Sequence, residues 1–189
     1  MQSNQKVKAG IIFAGYVLAG LCSAPFHRVE AIEKGTSEVY FLFSYSRQTV
    51  TVDGTEVVDP IHSIVLSGTY GYFLTPLIEP SIGLAGSYMR QGSEDTMIVE
   101  LVPGVLLNVT TLSDVLVPYV GGRIGVAYVD LGGGEVGFIW NLGGGLRYLV
   151  TKNVSFNFEV GYKQYILDTD GKTTRFDFIP VSAGISFLF

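Results

Sequence analysis

The chain has 189 residues, a formal net charge of −5, only 15% charged residues and a mean hydropathy of +0.38. With 24 Gly, 11 Tyr and 12 Phe it is too apolar and aromatic for a disordered segment. An acidic balance without any basic block argues against nucleic acid as a partner, and the length predicts one domain.

Lys6 and Lys8 precede an apolar run from Ala9 to Leu21, which small residues follow. That order is the pattern of a secretory signal peptide. The run is too short for a transmembrane helix, which needs ~20 residues. Cleavage after Ala24 would leave Pro25 first, and Val29 to Ala31 offers an alternative site. The expected division is a signal peptide at 1–31 and a β-barrel domain at 32–189. Cys22, the only cysteine, allows no disulfide within the chain. Lipid attachment there wants a small preceding residue, and Leu21 occupies that place.

After the leader, apolar and polar residues alternate at period two in segments broken by turn residues, which predicts strands. Eight are expected, at 37–50, 62–74, 79–90, 96–109, 115–129, 136–149, 154–166 and 175–189. Each exceeds the ~9–11 residues a tilted strand needs to cross a bilayer. The even count puts both chain termini on one side, expected to be the periplasm. Connections on that side are short, as in Thr75 to Ile78, Thr111 to Val115 and Val150 to Asn153. Those on the other side are more polar or glycine-rich. The fold class expected is all-β: an eight-stranded, antiparallel, up-and-down transmembrane barrel.

The more apolar parity of each segment predicts the lipid face. In the first three segments it carries Val39, Phe41, Phe43 and Tyr45, then Ile64, Leu66, Tyr70 and Tyr72, then Ile82, Leu84 and Tyr88. In the later segments, Glu100, Arg123, Arg147, Glu159 and Lys163 all fall on the opposite parity. A basic side chain facing hydrocarbon at mid-membrane costs ~2–4 kcal/mol, so this segregation fits a lipid-facing exterior. A soluble barrel would reverse it.

Glu100 is expected to pair with Arg123 inside the barrel, with Asn141 near Arg123 and with Arg147, Glu159 and Lys163 extending the network. Charges in a narrow lumen need partners, and an eight-stranded barrel is about filled by its own side chains. The network is therefore expected to plug the lumen. Val181, Ala183, Ile185, Phe187 and Phe189 form one apolar stripe on the closing strand, with Ser182, Gly184 and Ser186 facing inward.

Other groupings carry less. Gly132, Gly134 and Gly137 have nucleotide-loop spacing, but a strand and not a helix follows them. His62, Ser63 and Asp59 faintly suggest a hydrolase triad, yet adjacent strand residues point to opposite faces. Asp53, Glu56 and Asp59, like Asp168 and Asp170, lack calcium-loop spacing and are expected to be solvated. No catalytic, cofactor or metal site is expected.

The pattern resembles the small eight-stranded OmpA/OmpX-like, porin-family outer-membrane barrels of Gram-negative bacteria. The resemblance is most visible from Gly143 to Tyr165 and in the terminal FIPVSAGISFLF. It implies an outer-membrane location and contact with membrane lipids, periplasmic chaperones and the outer-membrane assembly machinery. The terminal stripe would be the signal that this machinery reads. It also implies a non-enzymatic structural or surface-interaction role through extracellular loops, with a surface ligand as an expected partner. A narrow pore and a lipid-A-modifying enzyme are the alternatives. Larger members add a peptidoglycan-binding domain, which is not expected here. Deleting Phe189 is expected to lower the membrane-inserted fraction in cells; normal insertion of the truncated chain would remove the assembly role.

Overall fold

The computed structural model describes residues 32–48, 51–52, 55–56, 61–109, 115–130, 134–169 and 172–189. The expected signal peptide at 1–31 lies outside these residues, as do Asp53, Asp59, Gly132 and Asp170. The strands are β1 (Ser37–Gln48), β4 (Ile61–Tyr72), β5 (Ile78–Gln91), β6 (Glu94–Asn108), β7 (Leu116–Asp130), β8 (Glu135–Thr151), β9 (Val154–Thr169), β10 (Lys172–Phe178) and β11 (Val181–Leu188). A small hairpin of β2 (Thr51–Val52) and β3 (Thr55–Glu56) stands between β1 and β4.

Consecutive long strands pair antiparallel, and β11 returns to pair with β1, so the sheet closes. Seven of the eight expected staves are single strands whose ends lie within a few residues of the expected ones. The eighth is different: β10 and β11 both pair with β9 but are separated at Ile179 and Pro180. Proline has no N–H to give to a ladder, which explains the break in the expected strand 175–189. The Pro180 carbonyl still accepts the Gly161 N–H at 3.2 Å. The β11–β1 register runs from Glu38 opposite Leu188 to Ser44 opposite Ser182, and Ser37 and Phe189 exchange backbone hydrogen bonds beyond its lower end.

Closure fixes the stagger. The hydrogen-bonded row through Ile185 passes Phe41, Gly68, Leu84, Leu101, Val126, Phe138 and Ile166. It reaches the last stave again at Arg175, 10 residues from its start. Such a shear tilts the strands by ~35–45° to the barrel axis. Residues level with one another in the lumen are consequently not direct register partners.

The burial pattern follows the alternation. On β6, Met97, Val99, Leu101, Val105 and Leu107 are exposed while Ile98, Glu100, Val102 and Leu106 are buried. The other long staves repeat this, and together they present a continuous apolar outer face. In hydrocarbon every backbone N–H and C=O must find an internal partner, which a closed sheet supplies. Tyr45, Tyr88, Tyr128, Trp140 and Tyr162 form an outward aromatic belt toward the loop end. Tyr70, Tyr72, Phe187 and Phe189 mark the end that carries the termini. Trp140 faces outward, stacks obliquely on Tyr162 at 5.3 Å and donates its ring N–H to Gln164.

Inside, Ile32, Phe73, Val115, Val117, Leu149 and Leu188 close the end nearest the termini. A second apolar group, including Ile98, Val129, Ile139 and Leu167, fills the far end. Glycine creates room for the larger groups between them. A Cβ on Gly145 would lie 2.6 Å from the Tyr119 ring, and one on Gly71 would lie 2.2 Å from Glu79 Oε1. Both side chains need that bare backbone to occupy the narrow interior.

Candidate functional site: three ion-paired tiers in the lumen

Each tier takes its side chains from the inward parity of separate strands. Nearest the termini, Arg147 on β8 is 1% exposed and meets Glu38 of β1 and Glu79 of β5, both fully buried. Its Nε donates to Glu38 Oε1 at 3.0 Å, and its Nη2 donates to Glu38 Oε2 and, at 3.1 Å, to Glu79 Oε2. Asn108 accepts from Arg147 Nη1 at 2.8 Å and donates to Glu79 Oε2 at 3.2 Å. The guanidinium also lies 5.3 Å from the Phe73 ring centre and 5.4 Å from that of Tyr119. A planar guanidinium suits such a site because its donors fork toward two carboxylates while its face stacks on rings.

In the middle tier, Arg123 on β7 grips Glu159 of β9 in bidentate fashion, at 2.9 and 3.1 Å. Its Nη2 also donates to the Tyr40 hydroxyl at 2.6 Å, and Tyr119 donates to Glu159 at 3.3 Å. In the upper tier, Lys163 on β9 donates to both oxygens of Glu100 at 2.9 and 3.2 Å. The Tyr165 hydroxyl at 2.5 Å and Ser87 at 3.4 Å also donate to Glu100.

The structure brings together Glu100, Arg123, Arg147, Glu159 and Lys163 as inward groups, but it corrects their partners. Glu100 pairs with Lys163, and Arg123 pairs with Glu159; the expected Glu100–Arg123 pair is not formed. On the β6–β7 ladder Glu100 stands opposite Ala127, whereas Arg123 stands opposite Gly104. Asn141 is the register neighbour of Arg123, as expected, yet its Oδ1 has no partner. Glu38 and Glu79, which sequence reasoning missed, carry the most deeply buried tier. Their signal was available: each stands on the parity opposite the apolar one of its segment.

The remaining candidates separate in space. His62 is exposed on the outer face, with Nδ1 3.0 Å from the Tyr45 hydroxyl, whereas Ser63 is buried inside. Gly134 adopts φ +66° just before β8, and Gly137 is buried near the start of that strand. Neither precedes a helix. In the terminal stripe, Val181, Phe187 and Phe189 are outward-facing and exposed, Ala183 stands opposite Phe43 and Ile185 opposite Phe41. Among the described residues no group of three or more His, Cys, Asp or Glu side chains could hold a metal ion.

A cavity of about 60 Å³ remains beside Arg123, Asn141 and Lys163. That is room for a few waters, each needing ~10–15 Å³ of such space, and not for a solute. A closed apolar-faced barrel whose lumen is filled by apolar side chains and by paired acidic and basic ones defines the class: a small transmembrane β-barrel. The chain belongs to the outer membrane protein beta-barrel domain family, which matches residues 14–187.

Solved structures share this fold. Neisserial surface protein A is similar at a TM-score of 0.60 and 16% identity, covering 82% of this chain and 98% of that one. The N-terminal barrel domain of Pseudomonas aeruginosa OprF is similar at 0.55 and 17%, covering 84% and 100%. Outer Membrane Protein W of E. coli is similar at 0.50 and 13%, covering 83% and 99%. Among curated proteins nothing matches the sequence.

The tiers differ in what each cation supports. Arg147→Met strands two buried carboxylates and is expected to cost ~3–5 kcal/mol in urea unfolding from lipid vesicles. Adding Glu38→Gln and Glu79→Gln should recover much of that loss. Lys163→Met should cost less, because Tyr165 and Ser87 still donate to Glu100. Equal costs for the two single variants would contradict this ranking.

Proposed function

We propose that this outer-membrane barrel is non-enzymatic and closed to solutes, with a structural or surface-interaction role carried at its extracellular end. The filled lumen is the observation that supports this reading. Apolar side chains close both ends, and between them four carboxylates and three cations are ion-paired or hydrogen-bonded. Opening a path through the tiers would require parting charged groups at low dielectric, which is costly. A closed interior leaves the extracellular connections as the variable surface, and loops on a rigid scaffold are where recognition usually lies.

The opposed faces of His62 and Ser63 favour this reading over a lipid-modifying enzyme. A narrow pore is the second reading, and the small polar cavity beside Arg123 and Lys163 is what favours it. Planar-bilayer recordings discriminate between the two. The wild-type barrel is expected to give no steady conductance, while Arg123→Ala should introduce flickering openings. A large, stable wild-type conductance unchanged by Arg123→Ala would overturn the plug. Exchanging 52–61 or 168–174 is expected to abolish binding to intact partner cells while heat-modifiable gel migration persists. Retained binding in both exchanges would remove the loops from the role.

A further inference from the structure

The tier nearest the termini does not balance in charge. Arg147 serves two carboxyl groups, Glu38 and Glu79, and both are fully buried. Among the described residues no other cation pairs with either of them. Arg123 and Lys163 are committed to Glu159 and Glu100, while Lys34 and Lys152, near the same end of the barrel, are exposed. The phenols above the tier add no charge: the Tyr119 hydroxyl donates to Glu159, and that of Tyr40 accepts from Arg123. Asn108, the remaining polar neighbour, is neutral. With both carboxyls ionised, a net negative charge would stand in a fully buried site, where an uncompensated ion is costly.

The hydrogen bonds are uneven in the same sense. Glu38 receives Arg147 N–H groups on both oxygens. Glu79 receives Arg147 and Asn108 on Oε2 alone, and its Oε1 is buried without a partner. An ionised carboxylate spreads its charge over both oxygens, so a bare one forfeits a charge-assisted bond. The two carboxyls also lie within hydrogen-bonding reach of each other. Ionised carboxylates only accept, so that contact gains a donor only when one of them carries a proton. Space is short as well. A Cβ on Gly71 would lie 2.2 Å from Glu79 Oε1, and the cavity beside Arg123 is lined by none of Glu38, Glu79 and Arg147. A proton is the one cation that needs no room.

We propose that Glu79 is a buried proton-binding site: it stands in the lumen as the neutral acid, donates its O–H to Glu38, and leaves Glu38 as the single carboxylate matched to Arg147. The tier then holds one cation and one anion. Like charges forced together commonly resolve in this way, with two carboxyl groups holding one proton between them. The three side chains come from β1, β5 and β8, which are not neighbours in the sheet. They meet across the lumen only once the barrel has closed, so the proton is taken from bulk water as the chain folds. Neither the role of the loops nor conduction through the lumen bears on this site.

Infrared spectroscopy of the barrel refolded from urea into phosphatidylcholine vesicles at neutral pH tests it. Wild-type protein is expected to show the carbonyl band of a neutral carboxylic acid. Glu79→Gln removes the acid, and Glu38→Gln lets Glu79 ionise against Arg147, so the band should vanish in both. Asp177→Asn, on the outer face, should leave it unchanged. Heat-modifiable migration reports that each variant has folded. In weakly buffered medium, refolding should take up about one proton per barrel more in the wild type than in Glu79→Gln. Absence of the band from the wild type, its survival in either Gln variant, its loss in Asp177→Asn, or equal proton uptake would overturn the site.

Discussion

The structure depends on one constraint: a backbone crossing hydrocarbon must satisfy all its hydrogen bonds within itself. An antiparallel sheet meets that demand only by closing, and closure of these staves sets a stagger of 10 residues. The remaining features follow from it. Alternation sends half of each strand into lipid and the other half into a space scarcely wider than the side chains. The outer half is therefore apolar. The inner half must fill its space without leaving an ion unpaired.

The lumen meets that second demand by layering. Apolar groups stop each end, and the three cations are spaced so that each meets its carboxylate partners inside the same tier. Tyr119 joins two layers, since its hydroxyl donates to Glu159 while its ring flanks Arg147. Gly145 makes this possible by offering no side chain where the ring passes. A small residue on β8 thus makes room for a β7 ring that reaches Arg147, also on β8, and Glu159 on β9.

Much of this was legible in the sequence, because parity is a local property. Glu100, Arg123, Arg147, Glu159 and Lys163 could be assigned to the interior from their neighbours alone. Their partners could not. Lys163 finds Glu100 from β9 to β6, across the lumen, and that match depends on tilt and closure around the whole ring. Counting outward from a shared turn relates only adjacent strands, which is why Arg123 was the wrong choice. Glu38 and Glu79 obeyed the same parity rule but stand near the starts of β1 and β5, where the alternation has barely begun. The break at Pro180 needed only the absent N–H to be taken seriously.

That break has a mechanical consequence. Every other junction is zipped along most of its strands, but the one joining the chain's two ends stops at Ser44 and Ser182. Beyond it, β1 continues beside a stave that has already been interrupted. The Glu38–Arg147 contact, formed by residues 109 positions apart, lies near the opposite end of the same closure. The seam is thus clamped below and slack above. Local opening of the folded barrel would begin at the slack corner away from the termini and stall at the clamp, making the two halves of one seam differ in how long they protect their amides.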